Sequence, residues 1–138
     1  MSVSVDERHE MRIDTEDDIA LVRRKVRDVA KACQFDVFQS AAVTTAASEL
    51  ARNVWVHAGK GNAVIERITD DTRSGVRVEF HDDGPGIESI DRVMAGGYST
   101  ANSMGLGLSG SRRLVDEFSI DSAPGRGTRV KFVKWAPY

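Results

Sequence analysis

The stretch Asp82-Asp83-Gly84-Pro85-Gly86 decides the fold of this chain. It ends a run, Val76 to Asp82, in which apolar residues take every second position up to Phe80, and this alternation predicts a β-strand. Ligands of mixed α/β proteins bind in loops that follow strands, and glycine there lets backbone N–H groups approach a ligand without a Cβ in the way. We therefore expect a binding loop; a plain turn is the alternative, because Asp, Gly and Pro are all turn formers.

Two more glycine segments follow, Gly105-Leu106-Gly107-Leu108 and Gly125-Arg126-Gly127-Thr128. The first comes after a small, polar segment and enters a predicted helix that ends near Phe118. At the start of a helix, free N–H groups and the positive end of the helix dipole favour an anion such as phosphate. The second segment joins two predicted strands, Phe118 to Ser122 and Thr128 to Trp135, into a hairpin.

A long helix is predicted from about Asp36 to Ala58, because the sequence is rich in alanine and Gly59 can end it in the left-handed conformation. Glu49, Asn53 and His57 are spaced by four residues, so we expect them on one face of that helix. A carboxylate there can act as a base, and an amide oxygen can bind a metal ion. The alternative is an exposed polar stripe, and His57 makes no zinc site because no further His/Cys cluster accompanies it.

The remaining segments complete an α/β pattern. We predict a short first strand closing at Met11 to Asp14, a helix from Thr15 to about Cys33, a strand from Ala63 to Thr69 and a short helix from Ile87 to Met94. The first helix has an apolar stripe made of Ile19, Val22, Val26, Val29 and Cys33, and a basic face made of Arg23, Arg24, Lys25, Arg27 and Lys31. That basic face is either a solvated surface, the default for a surface helix, or a docking site for an acidic partner.

The composition predicts a single domain spanning residues 1–138. With 19 Lys plus Arg against 21 Asp plus Glu, the chain has no global field that would recruit nucleic acid or an anionic membrane. The lone Cys33 cannot form an internal disulfide, and its place on the apolar stripe predicts a core position. The polar N-terminus and the absence of a run long enough to cross a bilayer lead us to expect a cytoplasmic protein.

Two common phosphate-binding motifs are excluded by their context. Gly105 to Gly110 matches Gly-x-Gly-x-x-Gly, but a dinucleotide-binding fingerprint follows a strand directly, whereas a polar loop precedes these glycines. Gly59-Lys60-Gly61 lacks the Ser or Thr that follows Lys in a Walker A motif. Neither motif therefore explains the glycine segments.

Together these segments resemble the GHKL (HATPase_c, Bergerat-fold) ATP-binding family, which includes Hsp90, DNA gyrase, MutL, histidine-kinase catalytic domains and bacterial anti-sigma-factor kinases. Glu49 to Asn53 matches the N box of that family, Asp82 to Gly86 its first glycine box, Gly105 to Leu108 its second and Gly127-Thr128 its last element near adenine. The resemblance covers nearly the whole chain and is strongest to the small serine/threonine kinases of the stressosome. It implies a two-layer α/β sandwich, with helices on one face of a mixed, mostly antiparallel sheet and a mobile ATP lid, here Gly97 to Met104.

The resemblance also implies roles for single residues. Asn53 would coordinate the Mg²⁺ that bridges the phosphates of ATP or ADP, Asp82 would accept a hydrogen bond from adenine N6, and Thr128 would lie near the base. Glu49 would be the general base that takes the proton of a substrate serine. Close approach to the nucleotide would be permitted by Gly84 and Gly86, and its phosphates would be contacted by Gly105, Leu106, Gly107 and Leu108.

The lid segment contains no Lys or Arg, so it supplies no positive charge for a γ-phosphate. The charge must then be met by Mg²⁺, by backbone N–H groups or by a cation from elsewhere in the chain. Lys60 and Arg112 are the nearest candidates by sequence, although both are also ordinary exposed residues in such positions.

The function that the resemblance implies is a partner-switching protein serine kinase. It would bind a STAS-domain protein, phosphorylate that protein on serine with ATP and Mg²⁺, and on release activate an effector such as a PP2C-type phosphatase. One alternative is an anti-sigma factor with serine kinase activity, which would hold a sigma factor. A second is a nucleotide-binding adaptor without turnover, and the presence of both Glu49 and Asn53 argues against it.

Overall fold

The computed structural model describes residues 2–88 and 104–136, with residues 104–107 as backbone only. The elements in these residues are β1 (Ser4–Ile13), α1 (Asp17–Ala32), α2 (Val37–Ala58), β2 (Gly61–Thr69), β3 (Ser74–Asp82), α3 (Met104–Leu114), β4 (Glu117–Ser122) and β5 (Thr128–Trp135). The strands form one sheet in the order β1-β2-β3-β5-β4, and each of the four neighbouring pairs is antiparallel. The predicted α/β sandwich with a mostly antiparallel sheet is confirmed, and no parallel pair occurs within the described residues.

The core lies between the sheet and the helices. Phe80 on β3 is opposite Val130 on β5, and Val78 is opposite Phe132, so alternate residues of these strands present one continuous apolar surface. Helices α1 and α2 pack against each other and cover that surface with their buried residues. The other face of the sheet carries a small separate cluster made of Ile68, Val133 and Trp135.

Local signals fix both ends of α2. Asp36 accepts a hydrogen bond from the backbone N–H of Gln39, and the Gln39 side chain accepts one from the N–H of Asp36, which forms a capping box. At the other end Gly59 has a φ of 80°, and its N–H bonds to the carbonyl of Trp55. The predicted helix from Asp36 to Ala58 is therefore confirmed.

Helix α1 also follows the sequence pattern. It begins at Asp17, two residues after the predicted start at Thr15, and in its first turn the carboxylate of Asp18 accepts hydrogen bonds from the backbone N–H groups of Asp14 and Thr15. Cys33 is buried as expected, and its thiol donates to the carbonyl of Gly75 over 3.4 Å. Burial raises the pKa of this thiol to about 11, so Cys33 is a core residue that stays protonated at neutral pH.

Two predicted elements differ in extent from the structure. The first strand ends at Ile13, as expected, but it begins at Ser4 and is longer than the short strand predicted. Its start was not predicted because β1 is an edge strand whose polar side chains form ion pairs, such as Glu7 with Arg67, instead of an alternating apolar pattern. The helix predicted to reach Phe118 ends at Leu114, and Phe118 lies in β4. The chain leaves the helix there because the N–H of Asp116 already bonds to the carbonyl of Val133 on β5.

Two other predictions fall on residues outside the described ranges. Most of the short helix predicted from Ile87 to Met94 lies there, as does the lid predicted from Gly97, except that Met104 begins α3. The assignment of residues 1–138 to one domain stays a prediction. Among the helices of the described residues, none is long and apolar enough to cross a membrane.

Candidate functional site

A crevice opens between the C-terminal half of α2 and the adjoining ends of β3 and β5. Its polar side chains are Asn53, His57, Asp82 and Thr128. Its apolar walls come from α2, the sheet, the loop after β3 and α3, and consist of Leu50, Val54, Phe80, Ile87, Leu108 and Val130, with Pro85 and Gly86 at one side. A mostly apolar crevice with a few convergent polar groups is the usual form of a small-molecule site.

Asp82 is the acidic group of the crevice. It is the last residue of β3 and pairs in register with Thr128, the first residue of β5, so both side chains lie at the same end of the sheet. One carboxylate oxygen of Asp82 accepts a hydrogen bond from the N–H of Gly84 over 2.8 Å. Burial raises the pKa of Asp82, and the Gly84 hydrogen bond opposes that shift.

Gly127 allows the two strands to meet behind Asp82. It has a φ of 76°, and a Cβ at this position would lie 2.1 Å from the carbonyl oxygen of Asp82. Gly125, two residues earlier, has a nearly equal φ of 77°, but a Cβ there would meet no described atom within 4 Å. Gly127 is therefore required by close approach as well as by backbone conformation, whereas Gly125 is required by conformation alone.

Ser122 connects three segments of the crevice wall and was missed by the sequence analysis. Its hydroxyl accepts a hydrogen bond from the N–H of Ile87 over 2.8 Å and donates one to the carbonyl of Gly127 over 2.8 Å. It also lies 2.9 Å from the hydroxyl of Thr128. The only sequence signal was a serine at the end of a predicted strand directly before a glycine-rich turn.

Gly84 and Gly86 pack against the protein. A Cβ on Gly84 would lie 2.7 Å from the Cβ of Ala58 at the end of α2. A Cβ on Gly86 would lie 2.0 Å from the carbonyl oxygen of Ala123 in the β4–β5 turn. These glycines thus hold the loop after β3 between α2 and the hairpin, and their approach to a nucleotide stays a prediction.

The polar stripe of α2 enters the crevice only in part. Asn53 and His57 line it, whereas Glu49 is exposed and does not. Four residues turn a helix by about 40° more than one full turn, so residues spaced by four drift around the axis. Glu49 therefore lies one turn from Asn53, toward the solvent side of the same helix. Burial lowers the pKa of His57, and the Asp82 carboxylate opposes that shift.

The second glycine segment lies in the first turn of α3. The backbone of Gly105, Leu106 and Gly107 is helical, and the buried side chain of Leu108 forms part of the crevice wall. The first four N–H groups of a helix have no acceptor within the helix. The start of α3 therefore offers the donors that the sequence analysis expected.

Neither candidate cation lies in the crevice. Lys60 lines an adjoining cavity, together with Arg12, Asn62 and His81, and this cavity shares Asp82 with the crevice. Arg112 is exposed on α3 and lines neither the crevice nor this adjoining cavity. A role for Lys60 or Arg112 toward a γ-phosphate stays a prediction.

The polar groups of the crevice fit a magnesium ion that is held mainly by the phosphates of a bound nucleotide and only in small part by the protein. The amide nitrogen of Asn53 is buried and has no hydrogen-bond partner in the described part of the chain, so this amide is available to a ligand. Within the same residues, no three His, Cys, Asp or Glu side chains come together as a metal cage. Mg²⁺ commonly takes one or two protein oxygens and completes its shell with phosphates and water.

A comparison with family models and known proteins gives the same assignment. The model of the histidine kinase-, DNA gyrase B- and HSP90-like ATPase family (HATPase_c) matches residues 39–137. The chain belongs to this family. It is 46% identical to the serine/threonine-protein kinase RsbT of Bacillus subtilis over 125 residues. This aligned region covers 91% of this chain and 94% of RsbT. The predicted resemblance to the serine/threonine kinase branch is thereby confirmed, and ATP is the ligand that the family implies.

Two further relatives are more distant. The chain is 30% identical over 114 residues to an anti-sigma F factor of Caldanaerobacter subterraneus, over 77% of this chain and 78% of that protein. It also resembles a chain in the crystal structure of the SiaB–SiaC complex from Pseudomonas aeruginosa, with a TM-score of 0.54 and 12% identity over 95% of this chain and 90% of that one. At that identity the structural likeness supports the fold alone.

The two glycines of the β4–β5 turn provide a matched test of the crevice. Gly127→Ala should weaken ATP binding, because its Cβ would displace the backbone of Asp82. We expect a loss of about tenfold or more, which corresponds to one hydrogen bond between the ligand and the charged carboxylate. Gly125→Ala should leave ATP binding unchanged. Both variants should lose about 1 kcal/mol or more of stability, since both place a Cβ at positive φ. Calorimetry and thermal unfolding measure the two effects, and equal ATP affinities would contradict the role given to Gly127.

The raised pKa of Asp82 predicts a conflict between stability and binding. Asp82→Asn should raise the melting temperature at neutral pH, because a half-buried carboxylate is replaced by a neutral group that can still accept from Gly84, and it should weaken ATP binding.

The stability gain should depend on pH. The cost of the buried charge is fully present above the folded pKa of Asp82 and disappears below the unfolded value of 3.8, so the gain should shrink as the pH falls through this interval. Melting curves of both proteins across this range measure it, and a gain independent of pH would show that the carboxylate charge is not its cause.

Proposed function

We propose that this chain is an ATP- and Mg²⁺-dependent protein serine kinase that acts as a partner switch. The observation that carries the proposal is the placement of three groups: Asp82 and Asn53 both line an apolar crevice, and Glu49 is exposed one helical turn from Asn53. The identity to RsbT supports a serine or threonine as the acceptor.

The inner part of the crevice suits adenine. The apolar walls match the faces of an aromatic base, and the Asp82 carboxylate, which only accepts hydrogen bonds, matches the amino group N6. Thr128 is paired with Asp82 in the sheet and supplies a hydroxyl beside the base. Guanine carries an acceptor where adenine carries N6, so the same carboxylate disfavours it.

The outer part of the crevice suits the phosphates. The first N–H groups of α3 can donate to phosphate oxygens, and the amide oxygen of Asn53 is of the type that Mg²⁺ prefers. Mg²⁺, when bound, would draw charge from the phosphates during transfer. Because Asn53 projects from α2 one turn beyond Glu49, the γ-phosphate would lie at the side of the crevice that faces Glu49.

Glu49 suits a general base for a protein substrate because it is exposed. A serine hydroxyl from another protein can reach it without entering the crevice. In the transfer, Glu49 takes the hydroxyl proton, the serine oxygen forms a bond to the γ-phosphorus, the bond between that phosphorus and the β–γ bridging oxygen breaks, and ADP leaves. A substrate serine at this rim would be held by protein–protein contacts.

The proposed partners follow the family. The substrate is a STAS-domain protein, and release from it frees the kinase to activate an effector such as a PP2C-type phosphatase in the cytoplasm. The anti-sigma F factors among the relatives favour a second candidate, in which the chain also holds a sigma factor. Copurification from the native host separates the two, since a sigma factor in the complex supports the second. A non-catalytic adaptor is disfavoured because Glu49 and Asn53 are both present.

The kinase assignment is tested by incubating the purified chain with MgATP and candidate STAS-domain proteins and mapping phosphoserine by mass spectrometry. Glu49→Gln keeps the shape of the side chain but removes the base, so transfer should slow by about 10²- to 10⁴-fold while ATP affinity is retained. Asn53→Ala should weaken nucleotide binding only when Mg²⁺ is present.

Glu10→Gln is the matched control, because Glu10 is an exposed glutamate on β1 that pairs only with Arg8 among its described neighbours. It should transfer phosphate at the wild-type rate. Transfer by Glu49→Gln at the wild-type rate would remove Glu49 from the role of base.

A further inference from the structure

The start of α2 displays two large apolar side chains to solvent. Val37 is 80% exposed and Phe38 is 84% exposed, whereas the other exposed large hydrophobic residues of the described chain reach at most 46%. Burying such a side chain stabilises a protein or a complex by about 1.5 to 3 kcal/mol, and these two side chains do not contribute it to the folded chain. Adjacent exposed apolar residues of this kind are typical of a protein interaction site.

Local folding does not explain this pair. The capping box at the start of α2 is completed by Asp36 and Gln39, and the apolar contact of this corner comes from Phe35, which packs against the core. Acidic residues are favoured in the first turn of a helix because they face the positive end of its dipole. Helix α1 has Asp17 and Asp18 there, whereas the first turn of α2 has no acidic residue.

Basic side chains without partners lie on α1, the helix that leads into the pair. Arg23, Arg24, Arg27 and Lys31 are exposed on α1, and within the described residues none of them forms an ion pair or a side-chain hydrogen bond. On the sheet and in its β2–β3 turn, Arg8, Arg67, Arg73 and Arg77 are paired with carboxylates. Exposed basic residues without an ion pair in the described chain also occur elsewhere, for example Lys131 on β5, but α1 alone carries four of them in a chain whose net charge is −2.

The turn between the helices brings the basic C-terminal end of α1 near the apolar pair. The turn between α1 and α2 is tight, because the N–H of Phe35 bonds back to the carbonyl of Ala30 and Gln34 has a φ of 62°. Lys31 is therefore held close to the start of α2. We call Arg27, Lys31, Val37 and Phe38 the corner surface.

We propose that the corner surface is the docking site for an acidic protein partner, and that this partner is the STAS-domain substrate of the proposed function, on which this inference rests. Charge complementarity gives the sign of the partner, and Phe38 supplies the apolar anchor that protein interfaces commonly bury.

Two other occupants fit less well. An anionic membrane would meet a chain of net negative charge, and α1 could not insert because its apolar side is buried in the core. A second copy of the chain would have to supply acidic groups, yet many of those on the described sheet are already paired.

The position of Phe38 relates docking to transfer. Phe38 and Glu49 are separated by close to three turns of α2, so both project from its solvent side about 16 Å apart. A partner anchored on Phe38 can extend along α2 and present its serine to Glu49. Phe38 lies about 22 Å along the helix from Asn53, so changes to it should not affect ATP binding.

The test compares two corner variants with two controls, using a purified STAS-domain protein as the partner. Phe38→Ser and the double variant Arg27→Glu with Lys31→Glu should each weaken partner binding by about tenfold or more. They should raise the KM for the partner while kcat and ATP affinity stay near wild type. The controls are Val5→Ser, an exposed apolar residue on β1, and Lys131→Glu, an exposed basic residue on the uncovered face of the sheet, and both should bind as wild type.

Binding in rising salt gives a second readout. The wild-type affinity should fall with salt, and the double variant should lose most of that dependence. If Phe38→Ser does not fold, the double variant alone decides, since its changed residues are exposed and lack partners in the described chain.

The outcomes separate docking from catalysis. If the wild-type chain binds and phosphorylates the STAS-domain protein and the corner variants do so equally well, the docking role of the corner surface is wrong and the proposed kinase activity is unaffected. If binding depends on the corner surface but no phosphoserine forms, the kinase assignment is wrong and the docking site is supported. No binding of STAS-domain proteins by the wild type would overturn both. Binding to phosphatidylserine vesicles, or self-association that Phe38→Ser abolishes in light scattering, would assign the corner to a membrane or a second copy and overturn the proposal.

Discussion

The close approach of β5 to the end of β3 is the constraint on which the site depends. Gly127 passes so near the backbone of Asp82 that no Cβ fits between them, and the neighbouring Ser122 joins the hairpin to the loop after β3. This contact fixes the backbone of Asp82, and its carboxylate accepts from the N–H of Gly84 beside the apolar walls of the crevice. Burying that charge lowers stability, and a ligand that donates to it can offset the cost. The Asp82 carboxylate thus lowers the stability of the free protein but can strengthen the binding of a ligand.

The chain separates its two kinds of recognition in space. The crevice is narrow and apolar, with a few polar groups, and it suits a small aromatic ligand. The outer side of the helices carries exposed apolar and basic side chains that suit a protein surface. Helix α2 belongs to both, because its C-terminal half lines the crevice and its N-terminal end forms part of the corner surface. Glu49 lies between them, where a nucleotide and a protein substrate would meet.

Much of the fold could be predicted from the sequence where a residue type has one dominant physical reason. Gly59 marked the end of α2 because few other residues adopt its positive φ, and the alternation at Val76, Val78 and Phe80 marked β3 because its period matches a strand. The edge strand β1 was mostly missed because its polar residues are stabilised by cross-strand ion pairs, which leave no apolar pattern. The end of α3 was misplaced because a tertiary hydrogen bond from Asp116 to β5 decides it.

The site was predictable in its residue types but not in its details. The spacing of Glu49 and Asn53 indicated a shared helix, yet only the structure shows that Glu49 is exposed while Asn53 lines the crevice. Ser122 was not predicted, since its three partners come together only through folding. The most direct test of the central claim is calorimetric titration of the wild-type chain with ATP and with GTP in the presence of Mg²⁺. We expect ATP to bind tighter than GTP by about tenfold or more, because the Asp82 carboxylate would accept from adenine N6 and repel the guanine carbonyl, and equal affinities would contradict this role.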